Sequence, residues 1–179
     1  MNRGPSGLII TNNTSLSDQN ALGSPNGWQN TFYRNNVFMG SRYCFELFGL
    51  VAESTDDWDY GAFYSSRSGN PGTEWFKWNN IRYDDVTEIQ SSGILEANAI
   101  EVSYADFVNI ALPTTYTTLY NPSQRDLRPS SGSSVIDNGD AIPNINRDYV
   151  RDNLPDRGAF EFGLPIPNYG SNFTPNCND

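Results

Sequence analysis

Short apolar runs carrying a pair of asparagines set the rhythm of this chain. Gly7-Leu-Ile-Ile-Thr-Asn-Asn-Thr14, Thr31-Phe-Tyr-Arg-Asn-Asn-Val-Phe38 and Trp75-Phe-Lys-Trp-Asn-Asn-Ile-Arg82 share this form. The pairs begin at Asn12, Asn35 and Asn79, so they are 23 and 44 residues apart, the second spacing close to twice the first. A period in the roughly twenty-residue range is that of one turn of a β-solenoid, in which each repeat supplies short strands that pair with those of the next. Asn tolerates the left-handed backbone of a tight corner, and its amide can hydrogen-bond the Asn stacked one repeat away.

Other stretches break the strand pattern. Ser15 to Asn30, with Gly23, Pro25 and Gly27, reads as an excursion, and Ser65 to Thr73 as a second. Asp84 to Gly93 predicts a short helix. Asp85 and Glu88 make a capping box, Val86 and Ile89 share a face, and Gly93 can end the turn. Pro113 to Ser134 reads as irregular surface chain. The tail 164–179 has three prolines and no period, which predicts a strap or linker after a body spanning 1–163.

Composition agrees with short strands and many turns. Aromatic residues make up 13% of 179 residues and charged ones only 18%. The net charge of −10 disfavours nucleic acid and anionic lipid as partners. No apolar stretch approaches the roughly 20 residues of a membrane span. Met1 to Gly7 lacks the form of a secretory signal, so a secreted chain would carry its signal upstream. Cys44 and Cys177 permit either one disulfide tying the tail to the body or two separate thiols.

A family resemblance enters with the order of several motifs. Trp58-Asp-Tyr-Gly-Ala-Phe-Tyr64, Trp75 to Tyr83, the predicted helix and Ala105-Asp-Phe-Val-Asn109 follow one another. Then come Asp126-Leu-Arg-Pro129, Ser133-Ser-Val-Ile-Asp-Asn-Gly139, Asp148-Tyr-Val-Arg151 and Asp156-Arg-Gly-Ala-Phe-Glu161. Together they resemble the C-terminal region of bacterial right-handed parallel β-helix repeat proteins, over roughly Asn35 to Gly163. Gly61 stands where the family has Asn, Asn80 where its hairpin has Gly, and Ser134 where it has Pro. The resemblance implies an all-β fold: the last few coils of a right-handed parallel β-helix with a short helix and a C-terminal cap. It also implies an extracellular or cell-surface location. That family includes polysaccharide lyases, epimerases and surface proteins without activity, so the likeness carries a fold rather than a reaction.

Candidate chemistry is sparse. Without any His, imidazole-based catalysis and Ser-His-Asp triads are excluded within this chain. Lys77, the single lysine, is the candidate lyase base, but alternation places it on the solvent side if Phe76 faces inward. Asp56, Asp57 and Asp59, with Glu53 nearby, offer hard oxygens for Ca²⁺ or simply form an acidic turn. Trp58, Tyr60, Tyr64, Trp75, Trp78 and Tyr83 either present ring faces to a sugar or pack the hairpin and helix onto the last coils. Asp137, Arg151, Asp156 and Glu161 are expected to lock the cap, with Asp137 paired to Arg151.

The expected function is an extracellular β-helix module, structural or in contact with a polysaccharide or cell-surface glycan, without its own catalysis or cofactor. Two alternatives stand beside it. One is the C-terminal part of a polysaccharide lyase or related carbohydrate enzyme; the other is a surface or fibre subunit that associates end to end.

Overall fold

The computed structural model describes residues 6–17, 19–48, 55–66, 73–110, 125–146 and 154–165. It is an all-β protein built mainly of parallel sheets. Its first nine strands form three triplets. The first is β1 (Ile9–Thr11), β2 (Thr14–Ser17) and β3 (Leu22–Ser24); the second is β4 (Phe32–Arg34), β5 (Val37–Gly40) and β6 (Phe45–Leu47). The third is β7 (Asp57–Asp59), β8 (Ala62–Ser65) and β9 (Phe76–Trp78). Each strand pairs in parallel with the same member of the next triplet. Ile9 faces Phe32 and then Asp57; Thr14 faces Val37 and Ala62; Leu22 faces Phe45 and Phe76. Ser15 to Asn30, read as an excursion, therefore holds most of β2 and all of β3. Their polar residues hide the alternation.

The corner between the first two strands of each triplet explains the asparagines. Asn12, Asn35 and Tyr60 occupy it at φ 53°, 56° and 56°, the left-handed region that Asn tolerates best among side-chain-bearing residues. The following Asn makes the expected ladder. The Asn13 backbone N–H and Nδ2 both donate to Asn36 Oδ1, at 2.9 and 3.0 Å. Asn36 Nδ2 in turn donates to the carbonyls of Ile10 and Arg34. The third copy of the repeat is Tyr60-Gly61, not Asn79-Asn80. That last pair, at φ 51° and 67°, is the two-residue turn between β9 and the antiparallel β10 (Ile81–Tyr83), where two successive positive φ angles suit a hairpin. Both turns want left-handed residues, so the sequence looks alike in both.

Alternation along the second sheet divides two cores. Phe38 and Phe63 join an aromatic cluster to which all three parallel sheets contribute, with Tyr33, Phe45, Trp58, Phe76 and Trp78. Val37, Met39 and Ala62 point the other way, against Val102, Phe107, Ile110 and Val135. The sheet is thus buried on both faces, as parallel sheets usually are. β11 (Ile100–Glu101) extends it beside β8. In the outer layer β12 (Phe107–Asn109) pairs antiparallel with β13 (Asp126–Pro129); β13 is a strand within the stretch read as irregular.

The helix is found as expected. α1 (Val86–Ser91) is capped by Asp85, whose side chain accepts from the Glu88 N–H at 2.8 Å, while Glu88 Oε2 accepts from the Asp84 N–H. Val86 and Ile89 are buried in the aromatic cluster beyond the third triplet. At the other extreme β1, β2 and β3 are each the outermost strand of their sheet.

Candidate functional site

The six aromatic candidates divide into two groups. Trp58, Trp78 and Tyr83 are core residues. Trp58 stacks on Tyr33 at 4.6 Å with an interplanar angle of 9°, meets Trp78 edge to face at 4.9 Å, and donates from Nε1 to Thr31 Oγ1. All three are buried in the aromatic core, so of the two readings left open for them they take the core-packing one. Tyr60, Tyr64 and Trp75 are partly exposed. Tyr64 meets Trp75 at 5.9 Å and Tyr104 at 4.9 Å, both edge to face, forming a small aromatic ridge.

The acidic candidates do not converge. Asp56 Oδ1 accepts from the Thr31 N–H and hydroxyl at 2.9 and 2.7 Å. Asp57 pairs with Arg34. Asp59 accepts from the N–H groups of Tyr60 and Asn98 and from Asn98 Nδ2. Among the described residues no three His, Cys, Asp or Glu side chains gather as a metal site. Glu53 lies outside the described residues. The three Asp carboxylates instead tie one triplet to the next and to the chain after α1.

Lys77 is buried, contrary to the solvent-facing position expected of it. It does point to the opposite face from Phe76, but that face of the third sheet is covered too. Its Nζ lies 3.8 Å from Glu46 Oε1 and 3.7 Å from the centre of the Phe48 ring. Glu46 also takes Arg42 Nη1 at 3.1 Å and Asn20 Nδ2 at 2.5 Å. Cys44 is buried in the aromatic core, and burial pushes its thiol well above the ordinary range. Cys177 lies outside the described residues.

The closing motif runs along the side of the triplets. Asn35 Oδ1 accepts from the Asp140 N–H at 2.7 Å and its Nδ2 donates to the Asp140 carbonyl, while the Gly158 N–H donates to the Asn35 carbonyl. Ala159 N–H donates to Thr14 Oγ1. A side chain on Gly158, at φ 100°, would strike Thr14 and Val37. The expected lock residues act within this segment. Asp156 accepts from the Asp137 N–H, Glu161 from the Asp156 N–H, and Asp137 itself sits at φ 52°. Arg151 lies outside the described residues.

Three residues that carry this segment escaped the sequence reading. Arg157, 2% exposed, donates to the Gly61 carbonyl at 2.8 Å and to the Asn138 carbonyl at 2.6 Å. Glu96, fully buried at φ 59°, accepts the Gly61 N–H at 2.9 Å and so replaces the Asn rung that Gly61 lacks. Burial raises the Glu96 carboxyl to about 8, and burial lowers Arg157 to about 10, each partly offset by the other's charge. Asp106 accepts from Ser133 Oγ and the Ser134 N–H at 3.0 Å each, pinning the start of the closing motif. Burial alone would raise its carboxyl, but hydrogen bonds from Ser134, Ser103 and Ser133 hold it below the usual range. Only Asp106 had a readable signal, the Ser103-x-x-Asp106 capping box.

No family model, curated protein or solved structure matches the chain. Among the described residues no helix is long and apolar enough to cross a membrane.

Proposed function

We propose that the chain is the C-terminal part of an extracellular right-handed parallel β-helix, a structural module that contacts polysaccharide or a cell-surface glycan and has no catalysis of its own. The observation that carries this reading is the register. In the first two sheets strands return 23 and then 25 residues later, with an Asn ladder at the corner between the first two triplets and Glu96 taking the rung at the third. A repeat of that length with parallel pairing needs each unit to cover its neighbour, which makes a rigid rod end rather than a cleft. Asp56, Asp57 and Asp59, weighed as metal ligands, are engaged by backbone and side-chain donors. Lys77, the candidate lyase base, is held by Glu46 beneath Phe48. The glycan contact falls to the ridge of Tyr64, Trp75 and Tyr104, whose rings can lie against sugar C–H faces.

A glycan array probed with the chain and with its Tyr64→Ala/Trp75→Ala variant tests this. The expected result is binding weakened by the double substitution, with no unsaturated uronate product from any polysaccharide bound. Release of such product would replace the module with a lyase.

Self-association is the second reading, and one feature favours it. Among the described residues β1 to β3 have no strand partner on their outer edges, with Ile9 62% exposed beside them, whereas β10 and β11 flank β9 and β8 on the other side. Self-association would pair these edges with those of a second copy, as a dimer or a longer assembly. Light scattering over a concentration series separates monomer, dimer and open polymer.

A further inference from the structure

We propose that Lys77 and Asn20 are joined by an intramolecular amide bond whose formation Glu46 promotes. Glu46 and Lys77 stand side by side on one face of the third sheet, and Asn20, just before β3, reaches the same carboxylate. Glu46 lies opposite Gly23 on one side and opposite Lys77 on the other. Gly23 has no side chain, and Asn20 fills its place: a Cβ there would lie 3.7 Å from Asn20 Nδ2. Both partners address the same carboxylate, Asn20 Nδ2 at 2.5 Å from Oε2 and Lys77 Nζ at 3.8 Å from Oε1. The Glu46 and Lys77 side chains are 3% and 11% exposed and the Phe48 ring lies against Nζ, while Asn20 is partly exposed and Arg42 Nη1 also reaches Glu46 Oε2 at 3.1 Å. Asn20 Oδ1 is buried and accepts no hydrogen bond. A plain ion pair gives no reason for burying an amide with an unmet acceptor. The only lysine of the chain is at this place.

The chemistry needs no outside reagent. Glu46 takes a proton from the Lys77 ammonium. The amine lone pair forms the Nζ–Cγ bond to Asn20, and Glu46 passes its proton to Nδ2. The Cγ–Nδ2 bond then breaks, and the second proton shed by Nζ leaves with the ammonia as ammonium. Glu46 ends as the carboxylate it began as. The carboxyl thus holds both the amine that must lose protons and the nitrogen that must gain them, with the carboxylate and the amine themselves buried.

Intact-mass spectrometry of the folded chain decides the matter. The expected result is a mass below that of the sequence by one ammonia, about 17 Da, with a branched peptide linking Asn20 to Lys77 in the digest. Lys77→Arg and Glu46→Gln should each restore the sequence mass, circular dichroism showing whether each has folded. A folded wild-type chain at its sequence mass overturns the proposal whatever the variants do. So does an ammonia loss that persists in Lys77→Arg, since that would mark a succinimide at an Asn-Gly step such as Asn138-Gly139.

Discussion

Replacing Glu96 with Gln should strongly change how stability depends on pH. Glu96 is fully buried and its carboxyl titrates at about 8, against an ordinary value of 4.5. Between those values the folded protein holds a proton that the unfolded chain has released. The stabilisation is complete below about pH 4.5 and is lost as pH rises through about 8. The gap corresponds to about 5 kcal/mol at most, at roughly 1.4 kcal/mol per pH unit, and structural relaxation around the ionised group would reduce it. Gln keeps an oxygen for the Gly61 N–H and cannot ionise. Urea denaturation of both proteins from pH 4.5 to 8.5 gives the test, because other titrating groups act on both and cancel in the difference. Glu96→Gln should gain on the wild type steadily across that range, by at least about 2 kcal/mol. A difference that stays constant with pH would refute the burial and protonation assigned to Glu96.

Three further substitutions probe the same architecture. A Cβ on Gly61 would meet the Phe63 ring at 2.2 Å and Glu96 Oε2 at 2.8 Å, so Gly61→Ala should cost on the order of 2–3 kcal/mol in chemical denaturation. Arg157→Met leaves the buried Gly61 carbonyl without its guanidinium donor. It should cost about 3 kcal/mol and speed protease cleavage within the closing motif; unchanged cleavage would count against Arg157 anchoring that motif to the triplets. Trp58→Ala should cost about 3–5 kcal/mol, while Trp75→Ala, at the partly exposed ridge, should cost on the order of 1 kcal/mol.

Local signals in the sequence were the readable ones. The capping box at Asp85 and Glu88 identified α1, because a helix start is written within four residues. The Asn corners at 12 and 35 identified the repeat. The same signal misassigned Asn79-Asn80, because a β-hairpin turn and a corner both call for left-handed residues and sequence records only that need. Alternation correctly put Phe76 and Lys77 on opposite faces but does not say whether the second face is covered. Here Phe48, Glu46 and Arg42 cover it. The Arg157 contact with Gly61 spans 96 residues, and no local pattern announces a partner at that distance. The aromatic candidates stayed between two readings because ring-rich segments mark cores and sugar platforms alike; Trp58 and Trp78 are core because three sheets converge on them.

The parallel register is the claim on which the rest depends, and one file of methyl-bearing residues reports it directly. Thr14, Val37, Ala62 and Ile100 lie side by side on successive strands of the second sheet, with Leu16 beside Met39. Methyl-labelled NMR should show through-space contacts from Thr14 to Val37, Val37 to Ala62 and Ala62 to Ile100, and from Leu16 to Met39. Contacts that instead link Thr14 with Met39 and Leu16 with Val37 would mean antiparallel hairpins and would contradict the account.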